Sequence, residues 1–237
     1  MPHGDDLSGP AAAPVARLFE AISRLRGRRG FHPFGAGFEG EVVPVDLPPA
    51  GAPQLRGTAL VRLSRSIGLP EWLPDPCGLG VRIPDAHGPG RHQDLLLTSA
   101  GGSPLGRRLI NPSRGFGDRP YSSILPYEVG GRRMVVVAHP LASEAPGPLL
   151  ADLREREHAG LEFRLGLAGR RGPPRPLATL RLGPRLAEAV TEELDLDPGN
   201  SGGGLEPVGF INRLRGPSYS ASQAGRRHAH GRAAASE

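Results

Sequence analysis

The chain has 237 residues, of which 38% are hydrophobic and 5% aromatic, and its formal net charge is +5. This length suits a single all-β barrel or sandwich with a sizeable core, which Leu, Val and Ala must fill because aromatics are scarce. The single cysteine excludes a disulfide framework and a Cys-based zinc site. All 29 basic residues are Arg, but no aromatic-rich basic stripe accompanies them, so we expect no nucleic-acid partner.

The two ends of the chain differ in composition from its middle. Residues 1–13 are polar and rich in Pro, Gly and Ala, and residues 227–237 are low in apolar side chains. We expect both to be disordered tails of one domain that spans residues 14–226. The N-terminus lacks a basic segment followed by an apolar one, and no apolar run approaches the roughly 18 residues of a membrane span. We therefore expect a cytoplasmic protein without a membrane partner.

The first predicted element is an amphipathic helix over Pro14–Arg26, where apolar residues recur every third or fourth position and Gly27 follows. Beyond it, short apolar runs with strand-like character lie between Gly- and Pro-rich turns. The predicted strands are, in chain order, Glu39–Val45, Thr58–Leu63, Gly78–Ile83, Gln93–Thr98, Arg132–Ala138, Leu161–Leu167 and Pro176–Leu182. Two short helices are predicted near Pro148–His158 and Pro184–Glu193.

Short strands that follow one another mostly through short turns favour an antiparallel sheet closed into a barrel. The stretch Ala168–Pro176 is interpreted as a turn between strands rather than a domain linker. The predicted fold class is therefore mostly β (α+β), an antiparallel β-barrel with a few short helices. In such a barrel Cys77 would be a small, half-buried residue that follows a turn.

A glycine-rich stretch around Ser201, with the sequence Gly-Asn-Ser-Gly-Gly, suggests the nucleophile loop of a serine protease. That chemistry needs a His that takes the serine proton and an Asp that orients the His. The small residues that usually precede the catalytic His are missing, and no strands follow Ser201 to build a specificity pocket. We therefore interpret residues 199–203 as a glycine-rich loop.

The most informative segment precedes the first strand and contains His32. It reads Arg29-Gly-Phe-His-Pro-Phe-Gly-Ala-Gly-Phe-Glu-Gly-Glu-Val. Three glycines therefore follow His32 at the point where the first strand begins. Glycine allows close approach of another group to the backbone. A lone His at a strand edge is more often a packing or capping residue, so His32 needs further support from the rest of the chain.

That support comes from a pattern, Arg-x-x-His-x-x-Gly-x-Gly-x-x-Gly-x-Val, which resembles the distal segment of haem catalases and their catalase-related relatives. Further pieces follow in the family's order. Val61-Arg62-Leu63-Ser64 resembles a Val-Arg-Phe-Ser strand, and Asp75-Pro76-Cys77-Gly78 resembles the start of an Asp-Pro-Arg-Gly stretch. Asp94-Leu95 resembles the Asp-Leu that leads into the family's pocket. The resemblance extends from about Arg28 to Arg226 and lacks the family's helical domain and long N-terminal arm.

The C-terminal part of the resemblance implies a haem ligand. Arg215-Gly-Pro-Ser-Tyr219 has the Arg-x-x-x-Tyr form of the proximal ligand segment, and Arg226 follows at the place of a further family Arg. Tyr219 would then be the phenolate ligand of the haem iron, and Arg215 would keep that phenolate deprotonated. The haem propionates would pair with Arg29, Arg62 and Arg226.

On the distal side, the resemblance implies that His32 is the acid/base that moves the peroxide proton and that Ser64 orients its imidazole. Catalases place an Asn on the strand after the Asp-Leu, and Thr98 or Ser99 stands there in this chain. We take Thr98 as the candidate. The loss of the Asn favours a peroxidase, or an enzyme for organic hydroperoxides, over efficient peroxide dismutation.

The resemblance leads us to expect a catalase-like haem oxidoreductase that acts on a small peroxide. Because the tetramer-forming arms of large catalases are absent, a monomer or homodimer is expected. The alternative is a haem-free barrel whose arginines bind an anionic small molecule, or a phosphoesterase of the same fold.

Overall fold

The structure, a computed structural model, describes residues 35–141 and 147–208. The predicted helix Pro14–Arg26 and both predicted tails lie outside the described residues, as do five candidate site residues: Arg29, His32, Arg215, Tyr219 and Arg226.

Ten β-strands form the described part of the fold, and every pairing between them is antiparallel. Alternation of buried and less buried residues, as in β3, is the pattern that produces a strand with one core face. The strands are β1 Gly35–Pro44, β2 Gly57–Arg65, β3 Cys77–Ile83, β4 Gln93–Ser99, β5 Tyr121–Ser122, β6 Tyr127–Val129, β7 Arg132–Pro140, β8 Glu162–Ala168, β9 Arg175–Arg185 and β10 Glu206–Pro207.

Eight of these strands close into a barrel in the order β7-β5-β4-β3-β2-β1-β9-β8, since β8 pairs with β7. β6 and β10 extend the sheet from β7 outside the closed ring. Closure leaves no unpaired edge in the ring. The prediction of a mostly β, antiparallel barrel is therefore confirmed, and Ala168–Pro176 does contain the turn between β8 and β9.

Two short α-helices accompany the barrel, α1 Leu150–Glu155 and α2 Glu188–Glu193, together with a 3-10 turn at Gly106–Arg108. Both α-helices lie within the segments predicted to be helical. The Asp152 carboxylate accepts a hydrogen bond from the Leu149 N–H at 2.9 Å and so caps the beginning of α1. Pro184, which the prediction placed in the second helix, belongs to β9 instead.

The barrel interior is a single apolar cluster to which nearly every long strand contributes. Phe38, Val61, Val81 and Leu95 lie opposite one another on β1 to β4, and all four are fully buried. Tyr121 and Phe163 pack edge to face with ring centroids 5.7 Å apart. Each side chain of this size contributes about 1.5–3 kcal/mol when it is fully buried, so this cluster is the main source of stability.

The outward face of β1 and β3 is covered by the segment that follows β9. A Cβ atom on Gly37 would collide with Thr191 of α2, and one on Gly80 would collide with Leu196. Because positions 37 and 80 carry no side chain, Thr191 and Leu196 can approach the sheet closely. Within the described residues, no helix has the length and apolar character that a membrane crossing requires.

Candidate functional site

One face of the barrel collects the candidate residues that the structure describes. Because Val61, Leu63, Leu79 and Val81 point into the core, their neighbours Arg62, Ser64, Gly78 and Gly80 lie on the outward face. The strand register places Gly35, Ser64, Gly78 and Thr98 in one row across β1 to β4. Gly37, Arg62, Gly80 and Leu96 form the next row. We call this surface, defined by Gly35, Gly37, Arg62, Ser64, Gly78, Gly80 and Thr98, the glycine face.

Arg62 lies across the glycine face toward the beginning of β1. A Cβ atom on Gly35 would stand 2.8 Å from Nε of Arg62 and 3.2 Å from its Nη2. Burial lowers the pKa of Arg62, and the negative charge of Glu192 acts in the opposite direction. The guanidinium is therefore held in a partly desolvated position, where a further anion would stabilise its charged form.

Ser64 is buried on the same face, with 7% of its surface exposed. A Cβ atom on Gly78 would stand 2.6 Å from the Ser64 Oγ, so any side chain at Gly78 would displace the hydroxyl. Thr98 flanks Gly78 on the other side. Two strand spacings separate Ser64 from Thr98, a distance of about 10 Å.

The structure distinguishes Thr98 from Ser99, the two candidates for the family's Asn position. Thr98 lies in the row of Ser64, whereas Ser99 is fully buried and its Oγ accepts a hydrogen bond from the Cys77 N–H at 3.0 Å. The Thr98 hydroxyl donates to the Cys77 carbonyl at 3.3 Å. Since a hydroxyl has one proton, the Thr98 oxygen retains acceptor capacity only.

A cleft of about 170 Å³ opens beside the glycine face at the beginning of β1. Its walls include Gly35, Arg154, Arg185 and Glu188, and the Arg154 Nε donates to the Gly35 carbonyl at 3.3 Å. Pockets for drug-sized ligands occupy roughly 300–1,000 Å³. The described walls alone therefore accommodate only a small molecule.

Asp75, which the sequence analysis used only as a motif match, organises the loop between β2 and β3. Its carboxylate accepts hydrogen bonds from the N–H groups of Ile67, Gly68 and Leu69 at 2.8–3.0 Å. Arg65 lies 3.7 Å from it and donates to the Leu73 carbonyl at 2.7 Å. Both side chains are almost completely buried. This Asp-Pro motif thus has a structural role beside the glycine face.

The loop of residues 199–203 is fixed to the barrel by backbone and side-chain hydrogen bonds of Asn200. His87 Nε2 lies 2.9 Å from the Gln93 Oε1, and within the described residues no hydrogen bond joins Ser201 to a histidine. Asn200 instead donates to the Asp94 carboxylate at 2.9 Å, and its carbonyl accepts from the Asp94 N–H at 2.8 Å. These two hydrogen bonds hold the loop against β4.

The half-buried position expected for Cys77 is wrong, because the residue is fully buried at the beginning of β3. Its Sγ lies 3.6 Å from the Asp75 carbonyl oxygen and 3.8 Å from that of Ser113. Burial is the main reason that the pKa of Cys77 is raised to about 12. The thiol is a packing group with no path to solvent.

Of the eight candidate site residues, Arg62, Ser64 and Thr98 are described, and the structure brings them onto one face. The sequence predicted neither the cleft nor the role of Asp75 in the loop between β2 and β3. Among residues 35–141 and 147–208, no three His, Cys, Asp or Glu side chains converge as a metal site would require. The sequence matches no protein-family model, and a comparison with curated proteins gave no match either.

Proposed function

We propose that the chain is a catalase-like haem protein that oxidises a donor with hydrogen peroxide or an organic hydroperoxide. The observation that carries the proposal is the common placement of Arg62, Ser64 and Thr98 on the glycine face. Arg62 and Ser64 come from the Val61–Ser64 motif and Thr98 from the strand that contains Asp94-Leu95, and the resemblance assigns all three to one pocket. The proposed protein is cytoplasmic and a monomer or homodimer.

The described residues fit an anionic group at Arg62. The space that Cβ atoms would fill at Gly37 and Gly80 is taken by Thr191 and Leu196, so the fit rests on Arg62 and not on open space at these glycines. Arg62 is partly desolvated, so a propionate beside it would offset the cost of burying its charge. Under the proposal Arg29 and Arg226 pair with the propionates as well, Tyr219 ligates the iron, and Arg215 keeps the phenolate deprotonated.

When bound, haem supplies the redox chemistry that no side chain of the chain provides. The chain's own residues move and hold protons. His32 takes the peroxide proton and returns it to the leaving oxygen. Ser64, buried and confined by Gly78, restricts the orientation of that imidazole by a hydrogen bond.

Thr98 sets the balance between peroxidase and dismutase chemistry. An Asn amide at this position would donate a hydrogen bond to peroxide, whereas Thr98 already donates its only proton to the Cys77 carbonyl. The distal side therefore offers peroxide one donor fewer than a catalase does. This difference favours slow dismutation and leaves oxidation of an external donor as the main reaction.

The first experiment measures haem binding directly. The full chain is purified from haem-supplemented cells, and its visible spectrum is recorded for the wild type, Tyr219→Phe, Arg62→Gln and Arg56→Gln. We expect a Soret band that is lost in Tyr219→Phe and weakened in Arg62→Gln. Arg56 is exposed and lies outside the glycine face, so Arg56→Gln serves as the matched control and should retain the band. A chain that stays colourless after hemin is added would refute the proposal.

The second experiment separates haem binding from proton transfer. His32→Ala should retain the Soret band and lose peroxide-dependent oxidation of a dye. If turnover is unchanged while the band persists, His32 has no part in the reaction. If the band itself disappears, His32 supports haem binding rather than proton transfer, and the assigned role is wrong.

A further inference from the structure

A second concentration of positive charge lies where the loop that contains the 3-10 turn meets the turn between β8 and β9. Arg107 of the 3-10 turn donates from Nη2 to the Gly172 carbonyl at 2.7 Å and from Nε to the Ser103 carbonyl at 3.4 Å. Only 3% of its surface is exposed. Arg107 therefore fastens the loop to the turn while its guanidinium is removed from water.

The third nitrogen of this guanidinium is not satisfied. Nη1 of Arg107 is buried and has no hydrogen-bond partner in the described part of the chain. No carboxylate among the described residues forms an ion pair with Arg107 either. A buried charge without a counter-charge is costly, and native structures rarely leave one in place without a reason.

Other basic groups lie close to Arg107 and add to this cost. The positive charges of Arg170 and Arg107 contribute to lowering the pKa of Arg108, although burial is the larger cause. Burial, then Arg107 and Arg164, lower the pKa of His139. His139 and Arg164 are direct cross-strand partners on β7 and β8. Among the residues that the structure describes, no acidic side chain contributes to the shift of either pKa.

We propose that Arg107, Arg108 and Arg170 form a binding site for a small doubly charged oxyanion of the phosphate class. These three guanidinium groups carry three positive charges, and no carboxylate of the described residues pairs with Arg107. A ligand with a single carboxylate would neutralise only one of these charges, so a dianion is preferred. The Arg fork matches the spacing of phosphate oxygens. Arg170 is exposed and Arg108 half-buried, so these two contact the ligand from the solvent side, while Arg107 supplies charge from beneath.

The surroundings favour a small ion over a nucleic acid. The exposed large apolar residues nearest in sequence are Leu105 and Leu109, and single-stranded nucleic acids bind through aromatic platforms instead. The proposed site lies at the junction of one loop with one turn, where Arg107 donates to the Gly172 carbonyl. An extended polyanion would need a continuous basic track.

The test is thermal unfolding of the full chain in increasing inorganic sulfate and, separately, phosphate, with sodium chloride at matched ionic strength. Ligand that binds only the folded state raises the unfolding temperature, and above its Kd the rise follows the logarithm of the ligand concentration. Sulfate and phosphate also stabilise proteins by exclusion from their surface, so the variants decide the outcome. Arg108→Gln with Arg170→Gln should lose the part of the rise that is due to binding, which Arg132→Gln, an exposed residue elsewhere, should retain.

Isothermal titration calorimetry with phosphate, acetate and a single-stranded oligonucleotide completes the test. We expect the phosphate affinity to fall at least tenfold in the Arg108→Gln, Arg170→Gln double variant, and acetate to bind more weakly than phosphate. Equal affinity of the wild type and the double variant for phosphate would overturn the proposal. Tight oligonucleotide binding without phosphate binding would overturn it in favour of a nucleic-acid surface.

Discussion

Asp94 and Arg82 face each other across β4 and β3 and form a two-point ion pair, with Nε 2.8 Å from Oδ1 and Nη2 2.6 Å from Oδ2. The same Asp94 Oδ2 accepts hydrogen bonds from the Asp197 N–H at 2.8 Å and the Asn200 side chain at 2.9 Å. Arg82 in turn donates to the Asp195 carbonyl at 2.6 Å. The ion pair between the partly exposed Arg82 and the fully buried Asp94 therefore holds residues 195–200 against the barrel.

Replacing Asp94 with Asn should destabilise the protein by about 1.5–3 kcal/mol, because it weakens the hydrogen bonds that the charged carboxylate accepts from Arg82, Asp197 and Asn200. An amide nitrogen would also face the donors of Arg82. Denaturant unfolding monitored by circular dichroism measures the loss. The control is Glu162→Gln, which removes the exposed partner of Arg181 and should leave the unfolding midpoint nearly unchanged. Equal losses in both variants would contradict the anchoring role.

Because Leu196 lies directly over Gly80, a side chain at position 80 should be destabilising, and a smaller residue at position 196 should compensate in part. Gly80→Ala should destabilise the barrel by about 1–3 kcal/mol, since the new Cβ would overlap Leu196. Leu196→Ala in the same chain should recover part of that loss, and a double-mutant cycle measures the coupling. Gly102→Ala is the matched control, because its Cβ would meet only Pro120 at 3.8 Å. Strictly additive effects would show that Leu196 does not lie over Gly80 in solution.

The sequence predicted the long strands because their periodicity is local. Seven runs correspond to β1 to β4 and β7 to β9, with boundaries displaced by up to four residues. β5, β6 and β10 contain two or three residues each, too few for any period to be visible. The predicted segments left Pro140 out of its strand and assigned Pro184 to a helix, whereas both prolines belong to strands. They lie at or near strand ends, where a missing N–H is tolerated.

The candidate sites depend in part on contacts between distant residues, which local sequence patterns do not predict. Alternation along β2 already implies that Arg62 and Ser64 share a face, and the register adds Thr98 and excludes Ser99. The contacts of Asp94 with Asn200 and of Arg107 with Gly172 join residues 106 and 65 positions apart. No spacing rule predicts such pairs, because tertiary packing alone determines which loop crosses which strand.

The buried thiol of Cys77 should be inert in the folded protein. A pKa of about 12 keeps it protonated at about pH 8, and a protonated, enclosed thiol does not attack disulfide reagents. We expect Ellman's reagent to label no thiol in the native chain and one thiol in guanidinium chloride. Rapid labelling of the native chain would show that β3 opens readily or that Cys77 is exposed in solution.

His139 should titrate below its ordinary value of about 6.5, because burial and the charges of Arg107 and Arg164 disfavour its protonated form. The unfolded chain then binds the proton more readily than the folded one, so stability falls as the pH drops from about 6.5 through the folded-state pKa. Histidine ring resonances in NMR spectra measure that pKa, and His139→Gln identifies the signal. Sulfate keeps its double charge across this pH range, so its binding at the site of Arg107, Arg108 and Arg170 should raise the pKa of His139. A His139 pKa that does not respond to sulfate would place the anion elsewhere.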